Sequence, residues 1–149
     1  GLEISRLALY DPPPTGGKAG SLAPELAAMI AADRRGDAVE LFQTDAVGIP
    51  AAVVANMRHA PFRPALEAIA HTLVYDATLL TALPDSLPSA IKIPTLVIDA
   101  ENMPPIMHQS AQSLSKILPN GRHHLLKGQT HDINPVVLTP LLKPFFEDN

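Results

Sequence analysis

IKIPTLVIDAENMPP, residues 91–105, reads as a strand buried on both faces that runs into the start of a helix. Val97 and Ile98 are β-branched and follow Leu96, while Pro94 stands at the strand's beginning, where its missing N–H costs least. An apolar run without strict alternation suits a strand covered from both sides. Downstream, Pro104 and Pro105 open a helix with Ile106, Ser110, Leu114 and Ile117 close to one side, and Pro119-Asn120-Gly121 ends it. Residues 122–126 form the next strand, and Gly128-Gln129-Thr130 bends into a loop that presents His131. Strand, helix and strand in this order are the unit of a parallel sheet, so the expected class is α/β.

Outward from that unit, ISRLALY at residues 4–10 is a short strand stopped by Asp11 and three prolines, which cannot continue a ladder. Asp11 therefore falls at a strand's carboxyl end, the edge where open α/β sheets hold ligands, although an aspartate before proline is also a common turn starter. TGGKAGS, residues 15–21, reads as a solvated connector; Lys18 is not followed by Ser or Thr, against a phosphate loop.

Residues 22–80 turn helical. A first helix runs from Pro24 to the neighbourhood of Arg35, Gly36 marks its stop and Asp37 caps the next, which carries Val39, Phe42 and Ala46. Pro50 opens a helix through Met57, and residues 65–80 form a longer one with Leu66, Ile69, Leu73 and Ala77 on its apolar face. So long an insertion between strands suggests a cap, because a crossover needs only about a dozen residues. Met29, Phe42, Met57 and Phe62 are candidates to line a pocket there, although apolar side chains at helical spacing more often simply pack. Residues 81–91 read as a linker back to the sheet. After His131, Asn134 caps a last helix with Leu138, Leu141, Leu142 and Phe145 as its packing face, against which Pro140 and Pro144 argue.

Composition narrows the functions. With 15 Asp plus Glu against 11 Lys plus Arg and no basic cluster, nucleic acid is not expected as a partner. The chain has no cysteine, which removes disulfides and thiolate chemistry and fits a reducing, cytoplasmic setting. Neither a signal-peptide pattern in GLEISRLALYDPPP nor a stretch of membrane-spanning length is present, so no membrane role is expected. No H-E-x-x-H or similar grouping occurs, and His123 and His124 point to opposite sides of a strand, so neither metal nor other cofactor is expected. His59, His71 and Asp76 read as ordinary polar residues of the helical insert.

His131 is the candidate general base, an imidazole just past a strand. Such a base works best when a carboxylate fixes its tautomer. Asp11 is one candidate for that carboxylate, Asp99 and Glu101 are rivals at the intervening strand's end, and Asp132 is too near in sequence to face the ring well.

IPTLVIDAENMPPIM, LSKILPNGRHHLLKGQTHDI and VVLTPLLKPFF together resemble the carboxyl-terminal half of the α/β-hydrolase family, and LALYDPP resembles the strand after which many members insert a helical cap. The resemblance implies one partial α/β-hydrolase domain over residues 1–149, with the cap at 22–80. It places the family's histidine on His131. The usual acid position falls near Met103, which cannot orient an imidazole; the variant with the acid one strand earlier implies Asp11, ahead of Glu101 and Asp99. It further implies a serine hydrolase of esters or similar small acyl substrates. The family's G-x-S-x-G nucleophile turn does not occur in this sequence, and Ser21, Ser110, Ser113 and Ser115 do not replace it. The chain alone is therefore expected to lack activity, and the open apolar edge of LALY to pair with another chain or copy. The alternative is a non-catalytic homologue that serves as a protein-interaction module.

Overall fold

The computed structural model describes residues 3–13, 18–82, 84 and 86–147. In chain order the elements are β1 (Leu7–Tyr10), a 3-10 turn (Lys18–Leu22), α1 (Ala23–Ala31), α2 (Arg35–Leu41), a π-helical turn (Phe42–Ala46), α3 (Ala51–Met57), α4 (Arg63–Ala68), α5 (Thr72–Ala82), α6 (Leu87–Ala90), β2 (Thr95–Ala100), α7 (Pro105–Ile117), β3 (Gly121–Leu126) and α8 (Pro135–Glu147). They fall into two compact units, Gly1–Thr15 with Asp85–Asn149, and Gly16–Pro84. None of the helices is long and apolar enough to cross a membrane, among the described residues.

The first unit holds a three-stranded parallel sheet in the order β1-β2-β3, as the α/β reading expects. β2 is central and every one of its residues is buried. Leu96 and Ile98 project to one face and pack with Leu126 of β3 and with Leu138 and Phe145 of α8. Val97 projects to the other and packs with Ala111 and Leu118 around α7. Both faces of the strand are thus covered, which is why its sequence is apolar without alternation. At the close of α7, a Cβ on Gly121 would lie 2.3 Å from the Ser115 carbonyl oxygen, so only glycine lets the chain turn this tightly into β3.

α8 is a helix through both of its prolines. Pro140 and Pro144 leave the carbonyls of Val136 and Pro140 without their i+4 donors. Positions 136, 140 and 144 are all exposed and share one face, so water takes those carbonyls while Leu138 and Phe145 pack on the opposite side. The Asn134 cap is present, its Oδ1 accepting from Val136 N at 3.1 Å.

The second unit is all helical, with Leu22, Leu26, Ala38 and Ala77 at its centre. Three boundaries differ from the sequence expectation. Gly36 is not a stop: α1 ends at Ala31 and is closed just past it by Asp33, whose φ is 57°, with Arg34 N donating to Met29 O and Asp33 N to Ile30 O, a Schellman closure. Gly36 and Asp37 sit inside the first turn of α2, and Arg63 Nη2 donates to Gly36 O at 2.7 Å. Residues 65–80 are not one helix, because α4 ends near Ile69 and α5 begins at Thr72; Arg35 Nη1 donates to the carbonyls of Glu67 and Ala68 and so closes α4 from another element. Within 81–91, α6 replaces part of the expected linker. Of the connector 15–21, Thr15, Gly16 and Gly17 lie outside the described residues, and the rest belongs to the 3-10 turn.

Candidate functional site

The ladder between β1 and β2 sets Asp11. Leu7 N donates to Pro94 O and Asp11 N to Ile98 O, so alternate residues of β1 face β2. In a continuing ladder the next donor, Ala100 N, would bond the Asp11 carbonyl. Asp11 instead turns into the left-handed region at φ 42°, which aspartate tolerates, and its own side chain takes that place: Oδ1 accepts from Ala100 N at 2.8 Å. This fixes the carboxylate at the sheet's carboxyl edge with no side-chain exposure.

Asp11 Oδ2 lies 3.2 Å from His131 Nδ1. The carboxylate can only accept, so Nδ1 carries the proton and Nε2 keeps its lone pair. The ring is 68% exposed, leaving Nε2 open to an incoming group. The loop that carries it is held from several sides. Tyr10 Oη donates to Thr130 O at 2.6 Å, Asn102 N to Gln129 O at 2.9 Å, and Gly128 N to Glu101 Oε2 at 2.7 Å. Burial first, and then the Asp11 and Asp132 carboxylates, raise the Tyr10 phenol above its ordinary 10.0, which keeps it a donor.

The sequence candidates separate cleanly. Asp11 and His131 come together, one directly after β1 and the other in the loop after β3, the two strands that flank β2. Glu101 is spent on the Gly128 amide. Asp99 is wholly buried and serves two other imidazoles, His108 Nδ1 at 2.8 Å and His123 Nε2 at 3.2 Å, so it is neither a strand-end cap nor a solvated charge. Asp132 bonds through its backbone N–H, which donates to Thr130 Oγ1. Ser110 does not bond back along its helix; its hydroxyl donates to Pro13 O at 3.1 Å, anchoring the segment after Asp11. The Asp99 pair with His108 and His123, and the Tyr10 anchor, escaped the sequence reading because no spacing rule links β2, α7 and β3. Among the described residues no group of three or more His, Cys, Asp or Glu is placed to hold a metal ion.

No family model matches the chain, and no curated protein does. Among solved structures, the crystal structure of an α/β hydrolase from Sphaerobacter thermophilus DSM 20745 is similar, with a TM-score of 0.77 and 39% sequence identity. The match covers 98% of this chain and 60% of that one, so the sequence spans about three fifths of the hydrolase's length. Agreement at this identity in sequence and in fold, over almost every residue of this chain, means that it has the fold of the matching portion of an α/β hydrolase.

Proposed function

We propose that this chain supplies the general base and its orienting acid to a serine hydrolase of esters or similar small acyl substrates. The contact between the buried Asp11 carboxylate and the exposed His131 imidazole, at the carboxyl edge of a parallel sheet, carries the reading. A serine hydroxyl from outside this sequence attacks the acyl carbon; as the new C–O bond forms, its proton passes to His131 Nε2. That proton then goes to the departing alkoxide as its C–O bond breaks, and water repeats the sequence on the acyl-serine. Asp11 holds the productive tautomer throughout and stabilises the imidazolium.

The test is a chimera in which this chain replaces the matching portion of the Sphaerobacter thermophilus hydrolase, with p-nitrophenyl acetate as substrate. The chimera should turn over, and His131→Ala and Asp11→Asn should each lower kcat on the order of 10²–10⁴-fold. Asp11→Asn is the informative variant: its Oδ1 still accepts from Ala100 N, while its amide offers His131 a donor and forces the wrong tautomer. This chain alone should show no turnover above buffer. Turnover by the chain alone, or by a chimera indifferent to His131→Ala, refutes the proposal.

A further inference from the structure

The imidazole of His131 is 68% exposed and meets Asp11 at 3.2 Å, longer than the roughly 2.7–2.9 Å usual for a charge-assisted bond. Neither close packing nor that one contact fixes where the ring stands, so its place is set by the backbone that carries it. Bonds from other elements reach residues 128–130 at different distances from the ring. Gly128 N donates to Glu101 Oε2 and Gln129 O accepts from Asn102 N, both at least one full residue removed from the His131 peptide. Tyr10 acts closer: its Oη donates at 2.6 Å to Thr130 O, the carbonyl of the peptide unit whose nitrogen belongs to His131.

We infer that Tyr10 is a positioning residue, whose hydroxyl acts through the Thr130–His131 peptide to keep the imidazole in line with Asp11. This role rests on Asp11 and His131 being the acid and base proposed above. Two features favour it. Tyr10 and Asp11 are consecutive at the end of β1, where Tyr10 is in register with Ile98 of the central strand. Strut and acid therefore share one mount, and any shift of this strand end carries the ring's backbone and its carboxylate together. The phenol is itself held, because the Tyr10 side chain packs on the apolar cluster that includes Ile98 and Phe145. The bond adds little to folding, since Thr130 is exposed and water takes its carbonyl once the phenol is gone. What the bond governs is geometry, and a catalytic group displaced by about 1 Å can lose on the order of 10²-fold in rate.

Tyr10→Phe removes the hydroxyl and keeps the ring. The full chain, isotopically labelled at its histidine ring nitrogens, reports the His131 tautomer by NMR through the shifts of Nδ1 and Nε2, with His131→Ala assigning the signals. In the wild type Nδ1 should carry the proton. In Tyr10→Phe both nitrogens should move toward the averaged values of free histidine. The signals of His108 and His123, which rest on Asp99, should stay fixed and show that the sheet is folded. In the chimera with the Sphaerobacter thermophilus hydrolase, Tyr10→Phe should lower kcat for p-nitrophenyl acetate roughly 10–100-fold and leave KM unchanged. His131 signals that do not move in the folded Tyr10→Phe chain overturn the inference. So does a variant chimera that keeps wild-type kcat, or whose loss is confined to KM, which would put the hydroxyl on the substrate instead. The two proposals fail separately: a chimera without turnover refutes the hydrolase assignment, whereas the ring signals still decide whether Tyr10 positions His131.

Discussion

Asp99 and Asp11 are both buried aspartates of one sheet that touch histidine, and their surroundings give them different work. Asp11 pairs with a ring that is 68% exposed, whereas the rings on Asp99, His108 and His123, are 27% and 26% exposed and pack beside α7 and β3. Asp99 thus ties a central strand to the helix and strand on either side of the crossover. Among the described residues its carboxylate is satisfied by those two imidazole donors, and charge-assisted bonds of this kind are stronger than neutral ones. Asp99→Ala should therefore destabilise the chain by about 2–4 kcal/mol in urea unfolding. The loss should leave the Asp11–His131 geometry intact, visible as an unchanged His131 environment by NMR. A variant as stable as wild type would mean that the cluster is ornamental to folding. That Asp11 and His131 reach the same edge of the sheet was readable from sequence, because each follows a strand whose end a proline run or a glycine marks. The residues alone left Asp99 and Glu101 as rivals, and only the resemblance put Asp11 ahead. The Asp99 cluster was not readable, since residues 99, 108 and 123 meet only after the crossover has formed.

At the scale of elements, the helices joined by ion pairs show where sequence reading stops. Periodicity located α1, α3, α7 and the packing face of α8, because those signals lie within each segment. The ends of α1 and α4 depend on groups elsewhere in the chain or on backbone conformations that glycine usually takes: Asp33 occupies the left-handed position, and Arg35 donates to the last carbonyls of α4. The prolines of α8 misled for a related reason, since their cost depends on whether the freed carbonyls meet water. Glu40 of α2 joins Arg58, with bonds of 2.8 and 2.6 Å, and Arg63 at 3.0 Å. The hydrogen bond from Arg58 leads in holding its carboxyl below the ordinary 4.5; burial opposes this, and Arg63 adds to the lowering. A carboxylate depressed in the folded state contributes stability that is present above the unfolded value and disappears as pH falls through the folded one. Glu40→Gln should thus be less stable than wild type at pH 6, and the gap should close as pH drops below about 4.5. Urea midpoints taken across that range decide it; a gap that stays constant with pH would assign the effect to packing.

For the whole molecule, the two outer edges of the sheet are unlike. β3 carries Arg122, His123 and His124 at exposed positions, the charged and polar dressing that discourages another strand from pairing. β1 reads LALY, with neither charge nor proline. Its ladder to β2 uses the backbone of Leu7, Leu9 and Asp11, so the N–H and C=O groups of Ala8 and Tyr10 face away from the sheet. Arg6, the charge just before the strand, is drawn toward the Phe145 ring, 5.6 Å from its centroid, and gives the edge little protection. We propose that this undefended edge templates a further strand, from another chain or from a second copy. Light scattering behind size exclusion should accordingly show this chain self-associating with rising concentration. Ala8→Pro provides the control at the same edge. It removes an outward N–H that β2 does not use, and a proline is compatible with an edge position facing away from the ladder. The variant should shift toward monomer while circular dichroism keeps the helical and strand signal. A wild-type chain that remains monomeric from micromolar to millimolar concentration would show that the β1 edge is closed by its own surroundings and offers no template for a partner.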